Sequence, residues 1–484
     1  MDNEGGGFKD PPMKIYTPFV FPLLLLLVSC SSLDSEREPL IPHRTRVPLV
    51  TEGRSITKIG SHTIVYEGLE NGLQVIIVEM PDSPVSIGMV GCEVGGRYEP
   101  ESHAGISHLL EHLLFREDDD RSPVTKIRRM GGIVNALTDY ELTTYHFTVL
   151  PSRFEEAMTA LSSMVLDPNF DGKDLAGERK VVGEEIARGK NDPRALVLSS
   201  LIKKIFPSSP LKNLVIGTQQ SIRRISLDDL YRVYSAYYVP ANMVVVCAGD
   251  LDTERTSDLV RSLFGRSAPS PVPEAGFESP AIAINDLTRK IPVNQAFYIA
   301  GALSPGRTDD DYYPMMVLDL LLGSGTNSRL YRRIVIEEGL TEGLYPFWYT
   351  LSDSGIWATM LSIDPDDTER VKTIVQEEVS SLRNGAVSDR EIEDAKRALI
   401  ARELIRLQTP MEISLFELEA LVFNDRVMDI DEHIENIRNV NRADVIRTSR
   451  RYFAPENSIT VTLVPAEAPQ SWFLMLKILL TREL

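Results

Sequence analysis

Residues 95–114 read GGRYEPESHAGISHLLEHLL, and residues 305–323 read PGRTDDDYYPMMVLDLLLG. At an offset of 305 − 95 = 210, Gly96 falls on Gly306 and Arg97 on Arg307. Each stretch runs from a turn through an acidic segment into an apolar helix. Two further segments match at 443 − 228 = 215: DDLYRVYSAYYVPANMVVV, residues 228–246, and ADVIRTSRRYFAPENSITV, residues 443–461. In both, a helix ends at two adjacent aromatic residues, a proline blocks its continuation, and a β-rich run follows. An internal repeat of this length predicts two domains of about 200 residues with one topology.

Punctuation sets the boundaries. HTIVYEGLENGLQVIIVEM, residues 62–80, is two β-rich runs joined through Asn71-Gly72, a hairpin signal. FGRSAPSPVPEAGFESP, residues 264–280, is too rich in proline and glycine for a helix or a central strand. The expected domains are therefore 58–265 and 286–468, joined by a linker at 266–285. A polar, Pro/Arg-rich tether at 31–57 precedes them, and an apolar tail at 469–484 follows as a packing helix or a membrane contact.

Within the first copy, residues 108–112 read HLLEH, in a chain with only seven histidines. The repeat places Leu318, Leu321 and Leu322 opposite His108, Glu111 and His112, so the helix forms without those polar groups and the fold does not need them. Positions i, i+3 and i+4 share one helix face, which lets both imidazoles address one ion with Glu111 beside it. Such a donor set suits Zn²⁺, one per chain, which in catalytic sites takes three protein ligands and keeps a position for water. The ion lowers the pKa of that water, and a neighbouring carboxylate of Glu111's type takes its proton. The plain alternative is a helix that happens to carry polar residues, but an H-x-x-E-H pattern arises by chance in roughly one such chain in a hundred. A third ligand has to come from elsewhere. DGKDLAGERKVVGEEIARG, residues 171–189, is helical in pattern and carries Glu178, Glu184 and Glu185. Glu178 and Glu185 lie seven residues apart and project from one face, whereas Glu184 points away into solvent. One of the pair can ligate while the other orients a histidine, and spacing alone leaves open which does which.

Composition narrows the partners. The chain has 484 residues, 43% of them hydrophobic, and a formal net charge of -19 from 70 acidic against 51 basic residues. With no basic cluster, a nucleic-acid partner is excluded. The cysteines are Cys30, Cys92 and Cys247, an odd and widely spaced set that forms neither a disulfide framework nor a Cys-rich zinc site. Cys92 and Cys247 read as small core residues. Cys30 ends a short apolar run, Phe19–Val28, that is too short to span a bilayer and reads as an export signal over residues 1–30. Because residues 1–12 are wrong for the start of such a signal, translation is expected to begin at Met13. Leu27-Val28-Ser29-Cys30 resembles the lipobox of bacterial lipoproteins, which implies a lipid on Cys30 and a membrane tether. Ser31 in place of an aspartate implies the periplasmic face of the outer membrane.

HxxEH followed by GGIVNALTDYELTTYHFTVL, residues 131–150, and by ERKVVGEEI, residues 178–186, resembles the pitrilysin/insulinase family of zinc metallopeptidases. The likeness extends from about His62 to Ala466 and is strongest to short two-domain bacterial members and to mitochondrial processing peptidase subunits. It implies an α+β fold of two homologous domains, each a mostly antiparallel β-sheet flanked by helices, together forming one half of a clamshell. It further implies zinc ligation by His108, His112 and Glu185, proton abstraction by Glu111, and support of the site by Glu178. The strand GGIVNALT implies an edge that takes up an extended peptide or unfolded polypeptide, with Asn135 and Ala136 next to the scissile bond and Gly131-Gly132 as a flexible entry. One departure stands out. Active relatives carry an arginine and a tyrosine in the second domain that hold the substrate carbonyl, and this chain has Val335 and Glu342 there. Arg332, Arg333 or Tyr345 are candidate substitutes. The departure implies a heterodimer with a related zinc-less chain that supplies the missing pair; the other readings are a homodimer that cleaves peptides by itself and a metal-containing envelope scaffold that retains little proteolysis.

Overall fold

The computed structural model describes residues 40, 45–46, 53–59, 62–117, 122–273, 286–424 and 426–466. The expected export signal with Cys30, most of the tether, the linker beyond residue 273 and the apolar tail lie outside the described residues.

A seven-stranded sheet forms the first half, in the order β2 (Gly53–Ile59), β3 (His62–Gly68), β4 (Gln74–Glu79), β8 (Met243–Gly249), β5 (Ser86–Cys92), β7 (Thr143–Val149) and β6 (Ile133–Thr138). All neighbours are antiparallel except β4 and β8. A five-stranded sheet forms the second half: β10 (Leu287–Ile291), β14 (Ser458–Pro465), β11 (Ala296–Pro305), β13 (Ser354–Ile363) and β12 (Tyr345–Thr350), with only β10 and β14 parallel. A two-residue strand β1 (Thr45–Arg46) pairs with β9 (Val272–Pro273). The fold is α+β in two halves. Strand β2 begins at Gly53, so paired structure reaches into the stretch read as tether.

Local chemistry explains the strands that matter. Gly72 has φ +90 in the β3–β4 turn, and a Cβ there would sit 2.8 Å from the Ala241 side chain, so only glycine fits. The Asn71 side chain completes the turn by accepting from the Leu73 N–H and donating to the Phe264 carbonyl. Every residue of the central strands β5 and β8 is buried, which accounts for the nearly unbroken apolar run MVVVCAG in β8.

Five helices define the packing: α1 (Ile106–Leu114), α2 (Gly172–Lys190), α3 (Pro193–Ile205), α4 (Tyr312–Leu322) and α5 (Pro410–Asn424). The halves exchange helices. From the second half, α5 crosses to the first sheet, where Ile413, Leu418 and Leu421 join Met89, Val244 and Val246 in one core. Reciprocally, α3 lays Val197, Leu201 and Ile205 against Ile299, Ile356 and Val461 of the second sheet. Glycines make the close approach possible. A Cβ on Gly91 would meet Leu418 at 2.7 Å, and one on Gly301 would meet Leu201 at 2.6 Å. These contacts are repeats of each other, since 301 − 91 = 210 is the first spacing between the halves and 418 − 201 = 217 is the spacing between the helix starts Pro193 and Pro410. Neither sheet buries its inner face without the other half, so the halves form one packed unit.

Glu417 lies in the middle of α5 and is fully buried. One oxygen accepts from the Met428 N–H at 3.3 Å, and the other has no partner among the described residues. Burial pushes its carboxyl up to about 8, against a slight opposing effect of the Met428 bond. The unfolded chain releases this proton near pH 4.3 while the folded chain keeps it to about pH 8, so stability falls as pH rises through that window. Glu417→Gln keeps an acceptor for Met428 and carries no charge. Its melting temperature is expected to match wild type near pH 4 and to exceed it by several degrees at pH 8.5, as measured by thermal unfolding across that range.

Candidate metal centre

Helix α1 begins at a crowded point. Gly105, with φ +95, precedes it; a Cβ at this position would meet the Ile216 carbonyl at 2.7 Å, and one on Gly217 would meet the Ala104 carbonyl at 2.1 Å. The two glycines let the segment around Gly217 abut the helix start. Glu99 caps the helix, its carboxylate accepting from the N–H groups of Gly105 at 2.6 Å and Ser107 at 2.8 Å. Leu109, Leu110, Leu113 and Leu114 then bury the core face of α1, which fixes its rotation and turns His108, Glu111 and His112 towards α2 and β6.

Helix α2 starts at a capping box of Asp171 and Asp174, and its length brings Glu178 and Glu185 to the same imidazole. Glu178 Oε2 lies 3.1 Å from His112 Nδ1, and Glu185 Oε2 lies 3.6 Å from His112 Nε2. The two carboxylates therefore address opposite nitrogens of one ring, a distinction that the seven-residue spacing left open. One ligand atom each from His108, His112 and Glu185 lies within 4.8 Å of the others. Glu184 is exposed, away from the cluster.

The electrostatics of the cluster favour a cation. Burial drives the His108 imidazole down to about 4, helped by the neighbouring His112, so it stays neutral with a lone pair to offer. Burial acts in the same sense on His112, but hydrogen bonds to Glu178 and Glu185 outweigh it and lift that ring to about 10. For Glu185, burial is outweighed by His112 and His108, which hold its carboxyl below the usual range. His108 Nδ1 is buried with no hydrogen-bond partner among the described residues. Two imidazoles and a carboxylate converging in a site where carboxylates already stabilise positive charge fit a zinc ion.

Glu111 is buried beside this cluster, and burial raises its pKa. Its Oε2 accepts a 2.6 Å hydrogen bond from Thr138 Oγ1 on β6. The sequence reading missed Thr138. Its signal was the two-residue alternation of β6, which places Val134, Ala136 and Thr138 on the face packed towards α1 and Ile133 and Asn135 on the other. Strand β6 pairs with β7 alone, so its outer edge is free among the described strands, with the Asn135 side chain exposed and Ala136 half-buried. The glycines before it differ from the flexible entry expected of both. Gly131 has φ +78 and open space around it, whereas Gly132 is packed so that a Cβ would meet Val149 at 2.7 Å.

In the second half Leu318, Leu321 and Leu322 are buried, as apolar counterparts of the first half's polar trio. Val335 packs against the core and Glu342 is exposed. Each candidate substitute is already engaged: Arg333 with Glu377 and Glu378, Arg332 with Glu337, and Tyr345 beneath the Arg194 guanidinium at 5.1 Å.

Residues 74–219 match the family model described as Insulinase (Peptidase family M16), and residues 224–399 match the one described as Peptidase M16 inactive domain. The chain is similar to the uncharacterized zinc protease YmxG of Bacillus subtilis, 26% identical over 397 residues that span 81% of this chain and 96% of that protein. It is 30% identical to an uncharacterized zinc protease of Mycobacterium leprae over 343 residues, 68% of this chain and 76% of that one. In fold it resembles a putative M16-like peptidase from Alicyclobacillus acidocaldarius, with a TM-score of 0.77 over 85% of this chain and all of that one, at 18% identity.

Proposed function

From its membership of the insulinase (M16) peptidase family, to which this chain belongs, we propose that the protein is a zinc-dependent metalloendopeptidase acting on peptides bound in extended form. The observation that carries the reading is the placement of His112 between Glu178 and Glu185. His108, His112 and Glu185 would hold the ion, which when bound acidifies water and polarises a carbonyl. Glu178 accepts from His112 Nδ1–H, which fixes the ring so that Nε2, once it gives up its proton to the solvent, would face the ion beside Glu185. Glu111, adjoining this group and with one oxygen occupied by Thr138, takes the proton of the attacking water on its other oxygen and returns it to the leaving amine. The free edge of β6 adds the substrate as a further strand, with the backbone at Asn135 and Ala136 beside the scissile bond. Export and the lipid on Cys30 belong to the same proposal and rest on the sequence alone.

Val335 and Glu342 favour a second reading, in which a related zinc-less chain supplies an arginine and a tyrosine to the transition state. Loss of one such donor costs about two to three orders of magnitude in rate. The experiment is cleavage of unstructured fluorogenic peptides by the purified, zinc-loaded chain. Cleavage that a chelator abolishes and zinc restores supports a self-sufficient peptidase. Cleavage only after a related zinc-less chain is added supports the shared site, and none in either case overturns both.

A further inference from the structure

Thr138, which holds Glu111, is followed in the chain by Asp139, the first residue of the β6–β7 turn. That turn is clamped from both halves. From the first, Gly96 N–H donates to the Asp139 carbonyl at 3.1 Å and Arg97 N–H to the Tyr140 carbonyl at 2.8 Å. Gly95 permits this contact, since a Cβ there would sit 2.0 Å from the Asp139 carbonyl. From the second half, the Tyr349 hydroxyl on β12 donates to Asp139 Oδ1 at 2.5 Å, and Ser352 N–H and Oγ donate to Glu141 at 2.8 and 2.7 Å. Thr138 ends β6 and Thr350 ends β12, so the bond joins the corresponding strand ends of the two halves. The bond therefore lies at the junction of the two domains.

We propose that the second domain positions the catalytic base: Tyr349 holds Asp139, Asp139 fixes the end of β6, and Thr138 there holds the Glu111 carboxylate in register with the metal ligands. Thr138, Asp139 and Tyr349 are positioning residues, and the inference rests on the peptidase reading of Glu111. It gives the metal-free half a role that needs no contact with substrate. The geometry suits the task. Glu111 is nearly buried, and Thr138 is the donor that orients it, so the direction of its second oxygen depends on the strand end. Asp139 is half-buried, and loss of solvent pushes its carboxyl up to about 6 against the pull of the Tyr349 bond; without the phenol its oxygen lacks its side-chain donor.

The test uses the full chain with Thr138→Val, Thr138→Ser, Tyr349→Phe and the double variant Thr138→Val/Tyr349→Phe. Thr138→Val is expected to lower kcat about tenfold to a hundredfold with KM and bound zinc unchanged, since a hydrogen bond to a charged group is lost. Thr138→Ser, which keeps the hydroxyl, is expected to recover kcat to within about threefold. Tyr349→Phe is expected to lower kcat severalfold, and the double variant to equal Thr138→Val, because both act through one link. A Thr138→Val enzyme with wild-type kcat, a serine variant as poor as the valine one, or effects that multiply would overturn the inference. Amide hydrogen exchange of the metal-free protein decides it independently of activity. Tyr349→Phe is expected to speed exchange about tenfold or more at the end of β6 while leaving the interior of α1 unchanged, and unaltered exchange at β6 overturns the coupling. If Glu111→Gln cleaves as well as wild type, the assignment of Glu111 as the base fails, and the exchange result still stands or falls alone.

Discussion

Glu111→Gln is expected to lower kcat/KM for peptide cleavage by about three orders of magnitude while zinc binding stays intact. The substitution is isosteric, and its amide oxygen still accepts from Thr138 Oγ1, so α1 keeps its place in the core. It removes only the ability to take a proton from water, a contribution usually worth about 10²–10⁴-fold. Because Glu111 shares the face of α1 with the ligands without being one of the three converging groups, metal content separates base chemistry from ion binding. Initial rates on a fluorogenic peptide, with zinc measured by atomic absorption, provide the check. Equal rates with and without the carboxylate would remove Glu111 from the mechanism, and loss of zinc in the glutamine variant would make it part of the ion's support.

Arg97→Met is expected to give the largest loss of stability, about 3–5 kcal/mol, and a fall in melting temperature on the order of 10 °C. Arg97 and Glu141 are both 4% exposed and form an ion pair between α1's approach and the β6–β7 turn. The same guanidinium reaches Asp353 Oδ2 of the second half at 2.6 Å. Replacing Arg97 leaves the Glu141 carboxylate buried beside Ser352 with no cation, the situation in which breaking a buried pair is most costly. Arg97→Met/Glu141→Gln is expected to regain about half of the loss, since the amide still accepts from Ser352 and the carboxylate left without its partner, Asp353, is exposed to water. Thermal unfolding of the single and double variants measures both effects. A single variant as stable as wild type would show that the halves are held by the exchanged helices α3 and α5 alone.

Much of this was legible in the chain because it depends on short-range geometry. The spacing of His108, Glu111 and His112 on one helix turn, and of Glu178 and Glu185 over two turns, decides which groups share a face before any tertiary contact forms. The Asn71-Gly72 turn is local in the same sense, since a positive φ selects glycine wherever the turn sits. The repeat was visible because each half reuses the same turn, helix and proline-strand ending. The leucines at 318, 321 and 322 separated chemistry from fold within one sequence.

Other features required the packed molecule. The sequence carries two helices that begin at Pro193 and Pro410, but nothing local says that each lies on the opposite half's sheet. That exchange depends on Gly91 and Gly301 admitting Leu418 and Leu201 from a hundred residues away or more. Thr138 reads as an ordinary strand residue until β6 lands beside α1. The contrast between Glu178 and Glu185 is likewise tertiary, because a helix face points both carboxylates the same way and only the position of His112 assigns one to each nitrogen. The chain by itself determined which candidate donors share a helix face and the two-fold plan, since both follow from backbone periodicity. Only the tertiary structure decided which carboxylate meets which nitrogen, what holds Glu111, and how the second half bears on the site, because those are contacts between segments that become neighbours only after both sheets are buried.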